Sequence, residues 1–297
     1  MIDKFLEYIT IERRYSSLTA ASYRTDLYAL CEFLSVKPDR FKPELATEDD
    51  IKAFMIAELD RGISPRSVRR KLSACHSFWK YLLRIGYVKT DITARIIPPK
   101  FKLPLPMFYK ESEMERATAD VDNVSDFVSV RDMLVIELLY QTGIRQAEAL
   151  ALKCTDVDFG MKQIRVIGKR NKERIIPVGD WLLSLITRYL PLRNKEAQDD
   201  NGELLLGDKG RPMTKGNIYS VVHNHMSKVS TLKKQSPHVL RHTFATTMLD
   251  HGADINTIKT LLGHASLAAT QVYTHTTFEQ IKKEYKKAHP RARGKNS

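Results

Sequence analysis

Along the first hundred positions apolar residues recur at helical spacing, and polar stop signals divide them into four amphipathic helices. Ile2, Phe5, Leu6 and Ile9 mark the first, and Tyr23, Leu27, Leu30 and Leu34 a second for which Thr19 is the expected cap. Thr47 and Asp50 make a capping-box pattern ahead of "IKAFMIAELDRG", where Gly62 stops the third helix. Ser64 and Pro65 are cap and first-turn residues of a fourth running to about Gly86, with Val68, Leu72, Cys75, Trp79 and Leu82 on one apolar stripe. Arg66, Arg69, Arg70, Ser73, Ser77 and Lys80 fall largely elsewhere on that cylinder and give it a basic face, either a solvated surface or a grip on a polyanion.

The pattern then breaks. Four prolines between Pro98 and Pro106 cannot continue a helix, so the chain is expected to form a helical domain over 1–97, an extended linker over 98–107 and a second domain over 108–297. "DMLVIELLYQTG" reads as a buried helix ending at Gly143, followed by another from about Arg145. "QIRVIGKRNKERIIPV" changes period: two short β-rich runs around a polar turn signal a hairpin. Helices return at "DWLLSLITRYL", at "KGNIYSVVHNHMSKV" and beyond, so the expected class is mainly α with a small β-hairpin or sheet.

Charge narrows the function. The 297 residues carry a formal net charge of +13. There are 18 basic against 13 acidic residues through Lys100, and 30 against 22 after it, so both domains are positive and suit a nucleic-acid partner. Cys31, Cys75 and Cys154 form no CxxC pair, which points away from a zinc site or a disulfide framework. His223 and His225 are two apart on a predicted helix and diverge, so they are discounted as metal ligands. No leader-like start and no run of apolar residues long enough to span a bilayer is visible, which predicts a cytoplasmic, nucleoid-associated protein without membrane contact.

The densest chemistry lies near the C-terminal end. Ser236 and Pro237 open a helix that puts His238 and Arg241 three apart on one face. Asp254 caps the next, Gly263 closes it, and His264 follows; Ser266 can cap a short element carrying Tyr273. Taken singly, each is more ordinarily a surface or packing residue. Together they fit a phosphodiester site: a guanidinium grips phosphate bidentately, imidazoles shuttle protons near neutral pH, and a phenol can attack phosphorus. A phenol of ordinary pKa near 10 is only about one part in a thousand ionised at pH 7, so the site must stabilise its anion.

Five segments carry a family resemblance: "TGIRQAEALAL" (142–152), "VIGKRNKERIIPV" (166–178), "HVLRHTFATTML" (238–249), "LLGHASLAATQVYTH" (261–275) and, more weakly, "YRTDLYALCEFL" (23–34). The chain resembles the tyrosine recombinases of the lambda-integrase kind, and in size and layout their Xer branch. The resemblance implies an N-terminal four-helix core-binding, SAM-like domain and a C-terminal tyrosine recombinase catalytic domain that close as a C-shaped clamp on DNA. It implies that Arg145 and Arg241 hold the scissile phosphate, that Lys169 is the general acid, and that His238 and His264 move or donate protons. Tyr273 is then the nucleophile of a 3′-phosphotyrosyl intermediate on the way to a Holliday junction, with no metal, ATP or other cofactor. Glu148 fits the acidic position after the first arginine, where a helix-dipole carboxylate explains it more simply than catalysis. One departure is Ala147, where many members carry a small hydroxyl residue.

The implied partners are a double-stranded DNA recombination site, a homo-tetramer or a heterotetramer with a paralogous recombinase, and a DNA-translocase regulator. Phe278, Ile281 and Tyr285 form an apolar stripe that fits docking on a neighbouring protomer or on its own domain. The chain opens directly on the core-binding pattern, with no room for an arm-site domain. That favours Xer-like chromosome dimer resolution or a simple mobile-element or inversion recombinase. Two rivals use the same parts: a type IB topoisomerase, which reseals the original strand, and a noncatalytic DNA-binding protein.

Overall fold

The computed structural model describes residues 1–101, 105–119, 124–168, 172–198, 201–263 and 275–292. The chain divides into two compact units, Met1–Pro104 and Leu105–Ser297.

The first unit is built from α1 (Ile2–Ile11), α2 (Ser17–Phe33), α3 (Glu48–Asp60) and α4 (Pro65–Arg84). Their apolar stripes meet in a core of Phe5, Leu27, Leu30, Ile51, Phe54, Phe78 and Trp79, all essentially inaccessible to solvent. The Thr47–Asp50 capping box forms, with Asp50 N–H donating to Thr47 and Thr47 N–H donating to the Asp50 carboxylate. At α2 the cap is Ser16 rather than Thr19: Ser16 Oγ accepts from the Thr19 backbone N–H, so the helix starts two residues before Thr19. Two hydroxyl residues three apart both satisfy the cap preference, and only the backbone turn decides which one is used.

The second unit centres on α6 (Phe127–Thr142), which beyond its first turn has no solvent face. Val130, Leu134, Ile136, Leu138 and Tyr140 are buried around its circumference, as befits a helix enclosed by others. It packs against α8 (Asp180–Glu196), α9 (Lys215–Val229) and α10 (Pro237–Asp250). Short α5 (Glu111–Ala117), α7 (Gln146–Ala151) and α11 (Ile255–Leu262) fill the periphery. The predicted hairpin, β2 (Gln163–Ile167) with β3 (Glu173–Pro177), gains a two-residue antiparallel strand β1 (Val157–Asp158), too short to leave a period in the sequence. Proline at the start of α10 is in place, but Ser236 Oγ makes no capping bond and is buried instead.

The last helix, α12 (His275–Ala288), buries Ile281 and Tyr285 against its own unit. The chain that follows is anchored too. His289 is fully buried among Tyr140, Phe244 and Tyr285, and Arg291 pairs with the buried Glu137 at 3.1 Å. Burial pushes the His289 imidazole far down, to about 3, so it sits in this core as a neutral ring.

Candidate active site

Two helices end in left-handed glycines whose neighbourhood is lined by arginine. Gly143 closes α6 at φ +60° and Gly263 closes α11 at φ +64°, conformations that favour glycine. A helix C-terminus leaves carbonyls without intrahelical partners and carries a partial negative charge, so it attracts cations. Here the cations are guanidinium groups from distant segments. Arg241, on the first turns of α10, donates to the Gly143 carbonyl and to the Leu262 carbonyl, both at 2.6 Å. Arg145, the residue before α7, donates to the same Leu262 carbonyl and to that of Gly263, both at 3.4 Å. Two guanidinium groups from distant segments of the second unit thus meet on one backbone oxygen.

The electrostatics follow from that crowding. Burial first, then the Arg145 charge, push the Arg241 guanidinium down to about 10, while Glu148 works against the shift. An anion arriving between the two arginines relieves this penalty. His238 lies one turn before Arg241 on an exposed part of α10. Desolvation first, and then Lys234, His242, Arg241 and Arg145, hold its imidazole below the ordinary histidine value, which favours the neutral ring that can accept a proton.

Glu148 does more than complement a helix dipole. Its carboxylate accepts from the Arg145 backbone N–H at 2.8 Å and from the Arg145 side chain at 2.9 Å. It also accepts two bonds from Arg174, at 3.0 and 2.8 Å. Burial alone would raise this carboxyl; the Arg174 and Arg145 bonds outweigh burial and hold it below the ordinary range. Arg174 was not among the candidates from the sequence. Its signal was a charged residue at a core-facing strand position, sharing a face of β3 with buried Ile176.

Among the expected site residues the structure therefore brings together Arg145, Arg241 and His238. Lys169, His264 and Tyr273, with the short element expected after Ser266, lie outside the described residues. The flanks are described: Gly263 sits beneath Arg145, and a Cβ on Gly168 would lie 3.5 Å from the Glu148 carboxylate. His223 stacks on Tyr219 while His225 turns back to the Val221 carbonyl, so that pair does diverge.

On α4, Arg66, Arg69, Arg70, Ser73 and Lys80 are exposed and Ser77 is half-buried. They are not equivalent. Arg70 donates to Ser22 and to the fully buried Asp26, and Arg69 lies 5.4 Å over the Phe101 ring. Arg66 and Lys80 project from the helix and make no such contact among the described residues.

Comparison with known proteins agrees with this layout. The phage integrase N-terminal SAM-like domain matches residues 2–86, and the phage integrase family matches residues 108–280. Tyrosine recombinase XerC of Listeria monocytogenes serotype 4a (strain HCC23) is 37% identical over 292 residues, 97% of each chain. Tyrosine recombinase XerC of Chlorobaculum parvum (strain DSM 263 / NCIMB 8327) is 33% identical, across 98% of this chain and 94% of that protein. Among solved structures, the XerH site-specific recombinase bound to palindromic difH substrate in a post-cleavage complex aligns with a TM-score of 0.72 at 22% identity. That alignment covers 96% of this chain and 84% of that one. The Tn1549 transposon integrase in complex with circular intermediate DNA aligns with a TM-score of 0.70 at 16% identity, over 94% and 98%. At those identities the structural likeness is one of fold.

Proposed function

Because the chain belongs to the phage integrase family and is a tyrosine site-specific recombinase of the Xer type, we propose that Arg145 and Arg241 grip the scissile phosphate of a DNA recombination site while Tyr273 attacks it. The observation that carries this reading is the meeting of both guanidinium groups on the Leu262 carbonyl. They are held with donors to spare, and a phosphate oxygen can take the place of the longer bonds that Arg145 makes there.

In this reading the phenol oxygen of Tyr273 forms a bond to phosphorus as the bond to the 5′ oxygen breaks. His238 accepts the phenol proton, Lys169 supplies a proton to the departing 5′ oxygen, and His264 donates a hydrogen bond to a non-bridging oxygen. The phosphotyrosyl linkage conserves the energy of the cleaved bond, so a 5′ hydroxyl from a second duplex reseals it through a Holliday junction without ATP. Positive charge from Arg145, Arg241 and Lys169 takes the part that a divalent cation plays at other phosphoryl-transfer sites. The exposed basic residues of α4 add salt-sensitive grip on the phosphate backbone.

Four protomers then assemble on two sites, as a homo-tetramer or with a paralogous recombinase, in the cytoplasm on the nucleoid. No helix among the described residues is long and apolar enough to cross a membrane. Two assignments follow from the Xer relationship: chromosome dimer resolution under a DNA translocase, serving partition in the cell cycle, or recombination of a simple mobile element. The test is covalent capture: protein crosslinked to nicked genomic fragments, with sequencing of the junctions. Wild type is expected to leave a 3′ adduct on Tyr273 and to yield recombinant junctions, whereas Tyr273→Phe binds duplex and leaves none. Adducts that only reseal their own strand would support the topoisomerase instead, and persistence of the adduct in Tyr273→Phe would move the nucleophile.

A further inference from the structure

Arg174 is a charged side chain in the wrong place for a strand. It pairs in register with Val166, faces the core beside Ile176, and is 5% exposed. Burying a guanidinium is costly unless all its donors are met. Each of its three nitrogens has a partner: Nε donates to the Leu261 carbonyl at 2.7 Å, and the two terminal nitrogens donate to opposite oxygens of Glu148. Glu148 in turn holds Arg145 by its backbone and its side chain. One side chain therefore ties β3 to the first turn of α7 and to the end of α11. The fit is close: a Cβ on Gly263 would stand 3.2 Å from the Arg174 guanidinium.

The arrangement also settles a charge. Arg145 is ion-paired with Glu148, so without Arg174 the carboxylate would offset one of the two guanidinium charges of Arg145 and Arg241. With Arg174 occupying both carboxylate oxygens, the cluster of Arg145, Arg174, Arg241 and Glu148 keeps a net positive charge. That surplus matters most as the attacked phosphate gains negative charge on its way to the pentavalent state. We propose that Arg174 is a positioning residue for strand cleavage, which offsets the charge of Glu148 so that this carboxylate orients Arg145 without cancelling the positive charge offered to the phosphate. The proposal rests on the phosphodiester reading above.

The test uses the full chain carrying Arg174→Gln or Arg174→Lys, and the duplex recovered by covalent capture, prepared in two forms. One has the ordinary phosphodiester at the cleaved linkage, the other an uncharged methylphosphonate. Arg174→Gln is expected to bind duplex within about threefold of wild type but to form adduct about 100-fold more slowly on the phosphodiester, as when one transition-state donor is lost. On the methylphosphonate, which has less charge to offset, the loss shrinks below about tenfold. Arg174→Lys keeps the charge without the fork and falls between. Equal losses on the two linkages would mean that the residue serves only the fold and would overturn the proposal, as would wild-type rates on both. Should Arg174→Gln not fold, the same inequality is required of Arg174→Lys. If wild type itself leaves no adduct on Tyr273, the phosphodiester reading has failed and not the role of Arg174.

Discussion

Both units are rich in arginine, yet they use it in opposite ways. On α4 the guanidinium and ammonium groups of Arg66 and Lys80 stand in water, where each keeps its hydration and its freedom. In the second unit Arg145, Arg174 and Arg241 are fixed by the open carbonyls of α6 and α11 and by one carboxylate. Hydrated charges attract a phosphate backbone over a distance and lose that attraction in salt. Constrained charges are already oriented when the reaction begins, so they need not reorganise as negative charge develops. In the proposed function the same side chain would support affinity in one unit and chemistry in the other, and the difference is made by the backbone around it.

The sharpest way to break this contrast is Arg241→Lys. An ammonium keeps the charge but cannot donate along both directions that Gly143 and Leu262 require. Single-turnover adduct formation is expected to fall by about 10²–10³-fold, the effect of losing one preorganised donor, while duplex binding changes little. Near-normal cleavage would place Arg241 with the surface arginines. Gly143→Ala tests the backbone that does the fixing. Its Cβ would stand 2.4 Å from Phe244 Cδ1 and 2.9 Å from Leu262 Cδ2, at φ +60°. Left-handed strain of about 1–2 kcal/mol adds to overpacking of about 1–3 kcal/mol. Gly86→Ala in the first unit has φ +71° and open space around it, so only the strain applies. Urea unfolding should separate the two, with Gly143→Ala the more damaging; equal costs would deny that the site glycine is held by packing.

Much of this was legible along the chain because helices announce themselves locally. The stripes of α1 to α4, the Thr47–Asp50 box and the Asp254 cap all lie within a few residues of what they determine. The site is legible only in part, since its geometry depends on contacts across long separations. Arg145 and Arg241 stand out beside helix ends, but that they share the Leu262 carbonyl follows from how α10 and α11 pack. Arg174 lies in "KRNKERII", where one basic residue looks like another until the strand's register assigns it to the core. Arg70 reads as one of several basic residues on α4, and its engagement depends on Asp26, 44 positions away. Local pattern finds elements; partners of buried charge are set by the tertiary fold.

Two buried carboxylates offer the finest version of the comparison, because Asp26 in the first unit and Glu148 in the second each lie beside arginine and are shifted in opposite senses. Asp26 is pushed above its ordinary value by desolvation, which the nearby Arg70 and Lys71 charges only partly offset. Glu148 is held below its ordinary value, because four bonds from Arg174 and Arg145 outweigh its burial. Linkage then fixes the signs. A depressed carboxyl contributes stability above the ordinary carboxylate pKa and loses it as pH falls through the folded value. A raised one costs stability as pH rises from the ordinary value through the folded one. Glu148→Gln should therefore be more damaging at neutral pH than at pH 3, whereas Asp26→Asn should be less damaging at neutral pH than at pH 3. The chain's two tryptophans, Trp79 in the first unit and Trp181 in the second, let fluorescence follow each unit's unfolding in single-tryptophan variants. The differences between the two pH values should be modest, on the order of 1 kcal/mol. If both variants moved in the same direction with pH, a carboxylate beside one partly exposed arginine would be held as well as one enclosed by two, and the contrast between the units would fail.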